Sequence, residues 1–135
     1  NRSLHQIEAH KNILTEAQRR SYEGEVRALR AMYYWYIMDL WGNVPLVTTH
    51  GTSLAQTAQS KRSTVFRFIV DELQEAAETL PLAHSNYEGN YYGRITRPVA
   101  WFMLAKLALN AEIYADDTPT DDHYPTSLSP WTAEA

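Results

Sequence analysis

Residues 21–46 read SYEGEVRALRAMYYWYIMDLWGNVPL, and this stretch decides the fold class. Its apolar side chains recur at steps of three and four residues, at Tyr22, Val26, Leu29, Tyr33, Tyr36, Ile37 and Leu40. That period predicts an amphipathic helix whose apolar stripe packs against a core. Glu23 and Arg27 lie one turn apart on the opposite, polar side, in the order that favours an ion pair within the helix.

Sequence signals mark both the end and the start of this helix. Gly42 can take the left-handed conformation that closes a helix. At the start, Thr15 followed by Gln18 has the pattern of a capping box, but Ser21 is an equal candidate for the capping residue. We predict a helix over residues 21–41.

Three further helices are predicted over residues 3–14, 63–80 and 97–115. The last of these is apolar nearly all round, so we expect it to be the central, most buried helix. Residues 46–62 form a long connection without helical period, and no strand pattern appears anywhere. The connections favour an all-α fold of two antiparallel helix pairs with long loops.

Composition narrows the classes of function. The 135 residues suit one compact module, and 12 Lys and Arg against 16 Asp and Glu give a net charge of −4, which argues against a nucleic-acid partner. There is no cysteine, so these residues form no disulfide and bind neither zinc nor an iron–sulfur cluster through thiolate sulfur. The longest apolar stretch, residues 98–105, is too short to cross a bilayer.

The sequence contains no catalytic pattern that we could identify, and we expect no enzyme activity, no metal and no cofactor. No His-Glu-x-x-His, Gly-rich phosphate loop or Gly-x-Ser-x-Gly is present. His5 and Glu8 share a helix face and are interpreted as a surface pair. An acidic loop favours a solvated segment over a cation site, since its spacing is not that of an EF-hand; its residues are Asp116, Asp117, Asp121, Asp122 and His123.

The connection over residues 81–95 is the candidate ligand surface. It contains three tyrosines that we predict to bind ligand: Tyr87, Tyr91 and Tyr92. Flat aromatic faces flanked by Asn and Gly can stack on sugar rings, although the same rings could merely pin the loop to the helices. Trp41 is predicted to lie in the core, and Arg30 to be a structural ion-pair or cap partner.

An ordered series of short patterns resembles the SusD/RagB family of outer-membrane nutrient-binding lipoproteins. The first patterns are Glu25, Leu29-Arg30-Ala31 and Gly42, followed by Val44-Pro45-Leu46. Further patterns follow in the family's order, at Arg62-Ser63, Asp71-Glu72-Leu73, Ala76, Leu80-Pro81, Arg94 to Thr96, Ala100, Leu104-Ala105-Lys106 and Leu109. Each is weak alone, but the series is fairly specific.

The resemblance implies tetratricopeptide-like helix pairs and non-catalytic capture of oligosaccharides or other nutrients at the outward-facing side of the outer membrane. It also implies a SusC-like TonB-dependent transporter as partner, against which the helix pairs mainly dock. Asn1 stands where the family often has an Asn near its ligand face, so the resemblance implies a ligand contact there.

Family members are several times longer and begin with a lipidated cysteine. The resemblance therefore implies that residues 1–135, a single helical module, are a fragment of a larger SusD-like protein. Membrane association would then depend on a lipid anchor that this chain lacks. Two alternatives remain open, namely a free-standing helical protein–protein interaction module and a fragment of a helical hydrolase.

Overall fold

The computed structural model describes residues 1–53, 55 and 57–118. Within these residues the helices are α1 (Arg2–Ala9), α2 (Glu16–Trp41), α3 (Arg62–Thr79), α4 (Arg97–Leu109) and α5 (Ala111–Ala115). Two short strands, β1 (Val44–Pro45) and β2 (Gln59–Ser60), pair antiparallel at the ends of the α2–α3 connection. The all-α fold class is confirmed. The strand pair was not predicted, because two residues per strand are too few for an alternating pattern.

Helices α2 and α3 run antiparallel along most of their length. The N-terminal part of α2 lies against the C-terminal end of α3, where Gly24 faces Thr79. Beyond the other end of α2, the Asn43 side chain accepts a hydrogen bond of 2.9 Å from the Arg62 backbone N–H at the start of α3. Arg97, at the start of α4, donates to the Leu80 carbonyl just after α3, so the chain reverses direction again.

The buried face of α2 is opposite to the predicted one. The residues it buries are small or unbranched: Gly24, Ala28, Ala31 and Met38. The predicted apolar stripe is exposed over most of its length, with Tyr33 at 60% and Leu40 at 69% of full exposure. Small side chains let α2 approach α3 closely, since a Cβ atom on Gly24 would lie 2.4 Å from the Thr79 hydroxyl oxygen.

The most buried helix is α3, and the prediction that residues 97–115 form the central helix was wrong. Helix α3 lies between α2 and α4, and its buried residues are Val65, Phe66, Ile69, Val70, Glu72, Leu73, Ala76 and Ala77. Helix α4 has one covered side only, so Trp101, Phe102 and Leu109 remain exposed. The predicted helix is also interrupted at Asn110, where α5 begins.

Several predicted helix ends differ from the structure. Thr15 caps α2 through a complete capping box with Gln18, so the helix begins at Glu16 and not at residue 21. Helix α1 ends at Ala9 rather than at residue 14 and buries none of its side chains. Trp41 is 68% exposed, so its assignment to the core was wrong. In the described part of the chain, no helix combines the length and the apolar character needed to cross a bilayer.

Candidate functional site

The side chain of Asn1 joins the start of α1 to α2 and to the segment after β1. Its amide nitrogen donates to the Val47 carbonyl at 2.7 Å and to the Thr49 carbonyl at 3.3 Å. Its oxygen accepts a hydrogen bond of 2.9 Å from Nη1 of Arg30. Both polar atoms of the amide are therefore used within the protein.

Arg30 continues this arrangement into the interior. Its Nε and Nη2 atoms donate to Oε2 of Glu72 at 3.0 and 2.5 Å, while Nε and Nη2 of Arg27 donate to Oε1 at 3.0 and 2.8 Å. Glu72 is only 4% exposed, and two guanidinium forks offset the cost of burying its charge. The predicted role of Arg30 as a structural ion-pair partner is confirmed.

The pKa of Arg27 reflects the same buried cluster. Burial of this guanidinium disfavours its charge, but the hydrogen bonds and negative charges of Glu72 and Glu75 outweigh that effect and raise its pKa. Arg27 therefore bonds across to α3, whereas the predicted partner Glu23 pairs with Arg19. The side of α2 that seemed polar in the sequence is thus part of the helix–helix contact.

Residues 47–49 are held against α2 by three side chains. The Tyr34 hydroxyl donates to the Val47 carbonyl at 2.9 Å and accepts from the Val47 N–H at 2.8 Å. Nη1 of Arg30 also donates to the Thr48 carbonyl at 3.1 Å, and Asn1 binds the carbonyls on either side of it. These bonds fix one wall of an open groove.

The groove has a volume of about 330 Å³. Its residues are Asn1, Ser3, Val26, Leu29, Arg30, Tyr33, Tyr34, Ile37 and Val47. Apolar side chains of α2 form much of its surface, and the polar groups of Asn1 and Arg30 at its border are bonded within the protein. Such a surface suits an apolar occupant.

The tyrosine loop, residues 85–94, is attached to α2 through Arg94, and one of its three predicted ligand residues packs against Arg94. The Arg94 guanidinium lies 5.3 Å from the centre of the Tyr91 ring and forms an ion pair with Glu25 of α2. Its hydrogen bonds to Glu25 raise the pKa of Arg94. Tyr91 and Arg94 thus hold the loop, while the rings of Tyr87 and Tyr92 are exposed.

The two parts of the predicted ligand site contact α2 at different places. Asn1 contacts α2 at Arg30, and the tyrosine loop contacts it at Glu25. These positions are five residues apart in the helix, which is about 7.5 Å along the axis. The structure therefore shows one polar junction and one aromatic loop, not a single cluster of the four predicted residues.

The other candidate residues have structural partners. The His5 ring packs at a tilt against the His50 ring with 4.9 Å between ring centres, and Glu8 pairs with Lys11 rather than with His5. Asp117 accepts hydrogen bonds from the backbone and the hydroxyl of Ser63, which lower the Asp117 pKa. Asp121, Asp122 and His123 lie outside the described residues. Among the residues described, no group of three or more His, Cys, Asp or Glu side chains is placed to hold a metal ion.

Glu72 and Arg27 are central to this region, and sequence reasoning did not identify their buried ion pair. A usable signal existed, because Glu72 interrupts the apolar stripe of α3 between Ile69 and Ala76. A carboxylate on a buried helix face requires a charged or hydrogen-bonding partner. The pattern could have predicted a buried ion pair, although not its partners.

Residues 1–109 match a SusD-like family that is described as starch-binding and associating with the outer membrane. The chain belongs to this SusD-like family. The resemblance drawn from residues 25–109 is therefore confirmed.

The SusD-like chain is similar to several characterised proteins. It is 30% identical over 107 residues to the starch-binding protein SusD of Bacteroides thetaiotaomicron, which is 78% of this chain and 18% of SusD. A solved laminarin-binding SusD-like protein is 27% identical with a TM-score of 0.69, covering 83% of this chain and 24% of that one. Surface glycan-binding protein A from Bacteroides uniformis is 26% identical with a TM-score of 0.70, covering 82% and 24%. The SusD-like chain thus spans a quarter or less of the length of these relatives.

Proposed function

We propose that this SusD-like chain is part of a protein that captures glycans at the outward-facing side of the outer membrane and does not cleave them. The observation that carries the proposal is the family match over residues 1–109. Support also comes from relatives named for binding starch, laminarin and surface glycans. In this proposal residues 1–135 form one helical module of a longer protein.

Tyr87 and Tyr92 are the proposed glycan contacts within this chain. Their rings are exposed on a loop that Arg94 attaches to α2, so a sugar ring could stack on them. The Tyr87 ring also lies 5.0 Å from the His84 ring, so a sugar on Tyr87 would share that ring with an internal contact. We assign Tyr91 to holding the loop. Asn1 is proposed to position residues 47–49, because both polar atoms of its amide are already bonded. Any direct ligand contact by Asn1 stays a prediction.

A glycan array that carries α-glucans and β-glucans tests this proposal. The protein applied to it is the full-length polypeptide, which we define as the product of the reading frame that contains residues 1–135. We expect binding to at least one glycan class. We expect Tyr87→Ala and Tyr92→Ala each to lower the affinity about tenfold, or about 1.4 kcal/mol. Tyr92→Phe is the matched control, because it keeps the ring face and should keep the affinity. Absence of binding to every glycan would refute the proposal, and unchanged affinity in both alanine variants would refute the site.

The partner proposed from family membership is a SusC-like TonB-dependent transporter in the outer membrane. A lipid anchor outside residues 1–135 would hold the protein there. Affinity purification of the tagged full-length polypeptide from detergent-solubilised outer membranes should recover a TonB-dependent transporter in a near-equimolar amount. Its recovery in the cytosolic fraction without such a transporter would contradict both the partner and the location.

A free-standing helical interaction module is the second candidate function, and the exposed apolar face of α2 favours it. The two candidates differ in the reading frame that encodes the chain. A start codon directly before Asn1 and a stop codon after Ala135 would favour the free-standing module. A frame several times longer would favour the glycan-capture protein.

A further inference from the structure

His5 of α1 and His50 of the segment after β1 lie side by side, although they are far apart in the sequence. Their ring centres are 4.9 Å apart, and the ring planes are tilted by 30° to each other. Both residues are exposed. Within the described part of the chain, neither imidazole forms a hydrogen bond or an ion pair. The ring nitrogens of both histidines are therefore open to a ligand from solvent.

The backbone around the two histidines holds the rings close together. His5 lies one helical turn after Asn1, and its N–H donates to the Asn1 carbonyl at 3.0 Å. The Asn1 side chain binds the carbonyl of Thr49, which directly precedes His50. Gly51 has a φ of +85° and turns the chain directly after His50. The first turn of α1 thus contacts one short segment at two points, through Asn1 and through His5.

The distance between the two rings matches the distance that a shared metal ion requires. A zinc–imidazole bond is about 2.0–2.1 Å long, so a bound ion lies about 3.2 Å from the centre of each ring. Ring centres 4.9 Å apart then correspond to an angle of about 100° between the two bonds at the metal. This angle lies between the roughly 90° of square-planar sites and the roughly 109° of tetrahedral sites.

The two rings can also reach the required orientation. The last torsion of a histidine side chain is broad, so each ring can turn one nitrogen towards a shared point at little cost. Solvent exposure gives a metal ion direct access to that point. Distance, orientation and access are therefore all compatible with coordination by both side chains.

We infer that His5 and His50 together bind one divalent transition-metal ion of the class that prefers imidazole ligands, such as Cu²⁺, Ni²⁺ or Zn²⁺. Water fills the remaining coordination positions, because no larger group of His, Cys, Asp and Glu side chains among residues 1–53, 55 and 57–118 is placed to hold a metal. The sequence predicted no metal, since the two histidines belong to different segments and only the fold brings them together.

A metal ion at this position joins α1 to the segment after β1. Helix α1 buries none of its side chains, so few contacts hold it against the rest of the module. Asn1 and Val47, which lie on the two sides of this junction, both border the open groove. The ion therefore fixes the border of the groove. The inference does not depend on the proposed function, because metal binding requires no glycan.

Titration of the metal-free, full-length polypeptide with Cu²⁺ tests the inference, because Cu²⁺ binds such ligands most tightly among these ions. Isothermal titration calorimetry measures the affinity. Phenylalanine keeps a flat ring but has no nitrogen ligand, so His5→Phe and His50→Phe each reduce a two-point attachment to one point. We expect each to weaken binding about tenfold or more. His84→Phe is the matched control, since His84 is exposed and packs against the Tyr87 ring rather than a second histidine.

Electron paramagnetic resonance of the bound Cu²⁺ identifies its ligands directly. We expect the spectrum of the wild type to show two histidine nitrogens and that of either His5→Phe or His50→Phe to show one, with circular dichroism confirming that each variant is folded. Absence of Cu²⁺ binding by the wild type would overturn the inference. Unchanged affinity in either of these two variants, or an equal loss in His84→Phe, would overturn it as well.

Discussion

Glu72 is a buried carboxylate held by two arginines from the neighbouring helix, and its removal tests how strongly α2 and α3 are joined. Glu72→Gln keeps the shape of the side chain but leaves Arg27 and Arg30 facing a neutral group. We expect a loss of about 3–5 kcal/mol in the free energy of unfolding, because breaking one side of a buried ion pair strands the remaining charges. Urea denaturation followed by circular dichroism measures this change.

Glu75→Gln is the matched control for that measurement. Glu75 also pairs with Arg27, but its side chain is 58% exposed. Solvent-exposed ion pairs contribute about 0–1 kcal/mol, so this variant should be nearly as stable as the wild type. Equal effects of the two substitutions would show that burial does not determine the strength of the cluster.

At the residue scale the sequence predicted some roles and not their partners. Arg30 was expected to form a structural ion pair, and it does. Its partner Glu72 lies 42 positions away, and that pairing depends on the register of α2 against α3. A single sequence contains no direct information on this register. The exposed rings of Tyr87 and Tyr92 fit the predicted ligand loop.

At the element scale, Gly24 determines how closely α2 approaches α3. A Cβ atom there would lie 2.4 Å from the Thr79 hydroxyl oxygen, and Thr79 would have to move. Alanine is nonetheless about 1 kcal/mol better than glycine inside a helix. We expect Gly24→Ala to be more favourable by about 1 kcal/mol in a Thr79→Ala background than in the wild type. A double-mutant cycle of unfolding free energies measures this, and strict additivity would show that the two residues do not touch.

Tyr114 joins α5 to α2 and makes this contact sensitive to alkaline pH. Its hydroxyl donates to Asp39 at 2.6 Å and accepts from the Trp35 indole at 3.2 Å. Burial and the hydrogen bond to Asp39 raise the pKa of Tyr114 above its ordinary value. The unfolded chain therefore releases this proton at lower pH than the folded chain does. The contribution to stability is complete below the unfolded pKa and is lost as pH rises through the folded pKa.

Stability as a function of alkaline pH tests the Tyr114 contact. Between about pH 9 and pH 11 the wild type should lose more unfolding free energy than Tyr114→Phe, which has no proton to release at this position. Urea denaturation at a series of pH values gives both curves. Parallel curves would contradict a raised pKa at Tyr114.

The existence of the helices was predictable, but the inner face of α2 was not. Periodicity predicts a helix wherever apolar residues recur every three or four positions. Helix α2 has two such faces, one of tyrosines and leucines and one of glycine and alanine. The larger side chains seemed the better core, but the smaller ones allow the closer helix contact with α3. The Thr15 capping box was recognised in the sequence. Only the structure showed that Thr15, and not Ser21, is the residue that caps the start of α2.

At the scale of the whole molecule, the order of the layers could not be predicted from each helix separately. Residues 97–115 seemed central because they are apolar all round, but burial depends on how many neighbours a helix has. Helix α3 has neighbours on two sides, and α4 has one uncovered apolar side among the described residues. Both apolar outer sides agree with a module that forms one part of a larger helical protein.

Equilibrium dialysis of the full-length polypeptide against a labelled oligosaccharide, chosen from the glycans bound on the array, tests capture without cleavage most directly. We expect the label to accumulate on the protein side, and chromatography should recover the oligosaccharide at its original length. An equal distribution of label across the membrane, or recovery of shortened products, would contradict a glycan-capture protein that does not cleave its ligand.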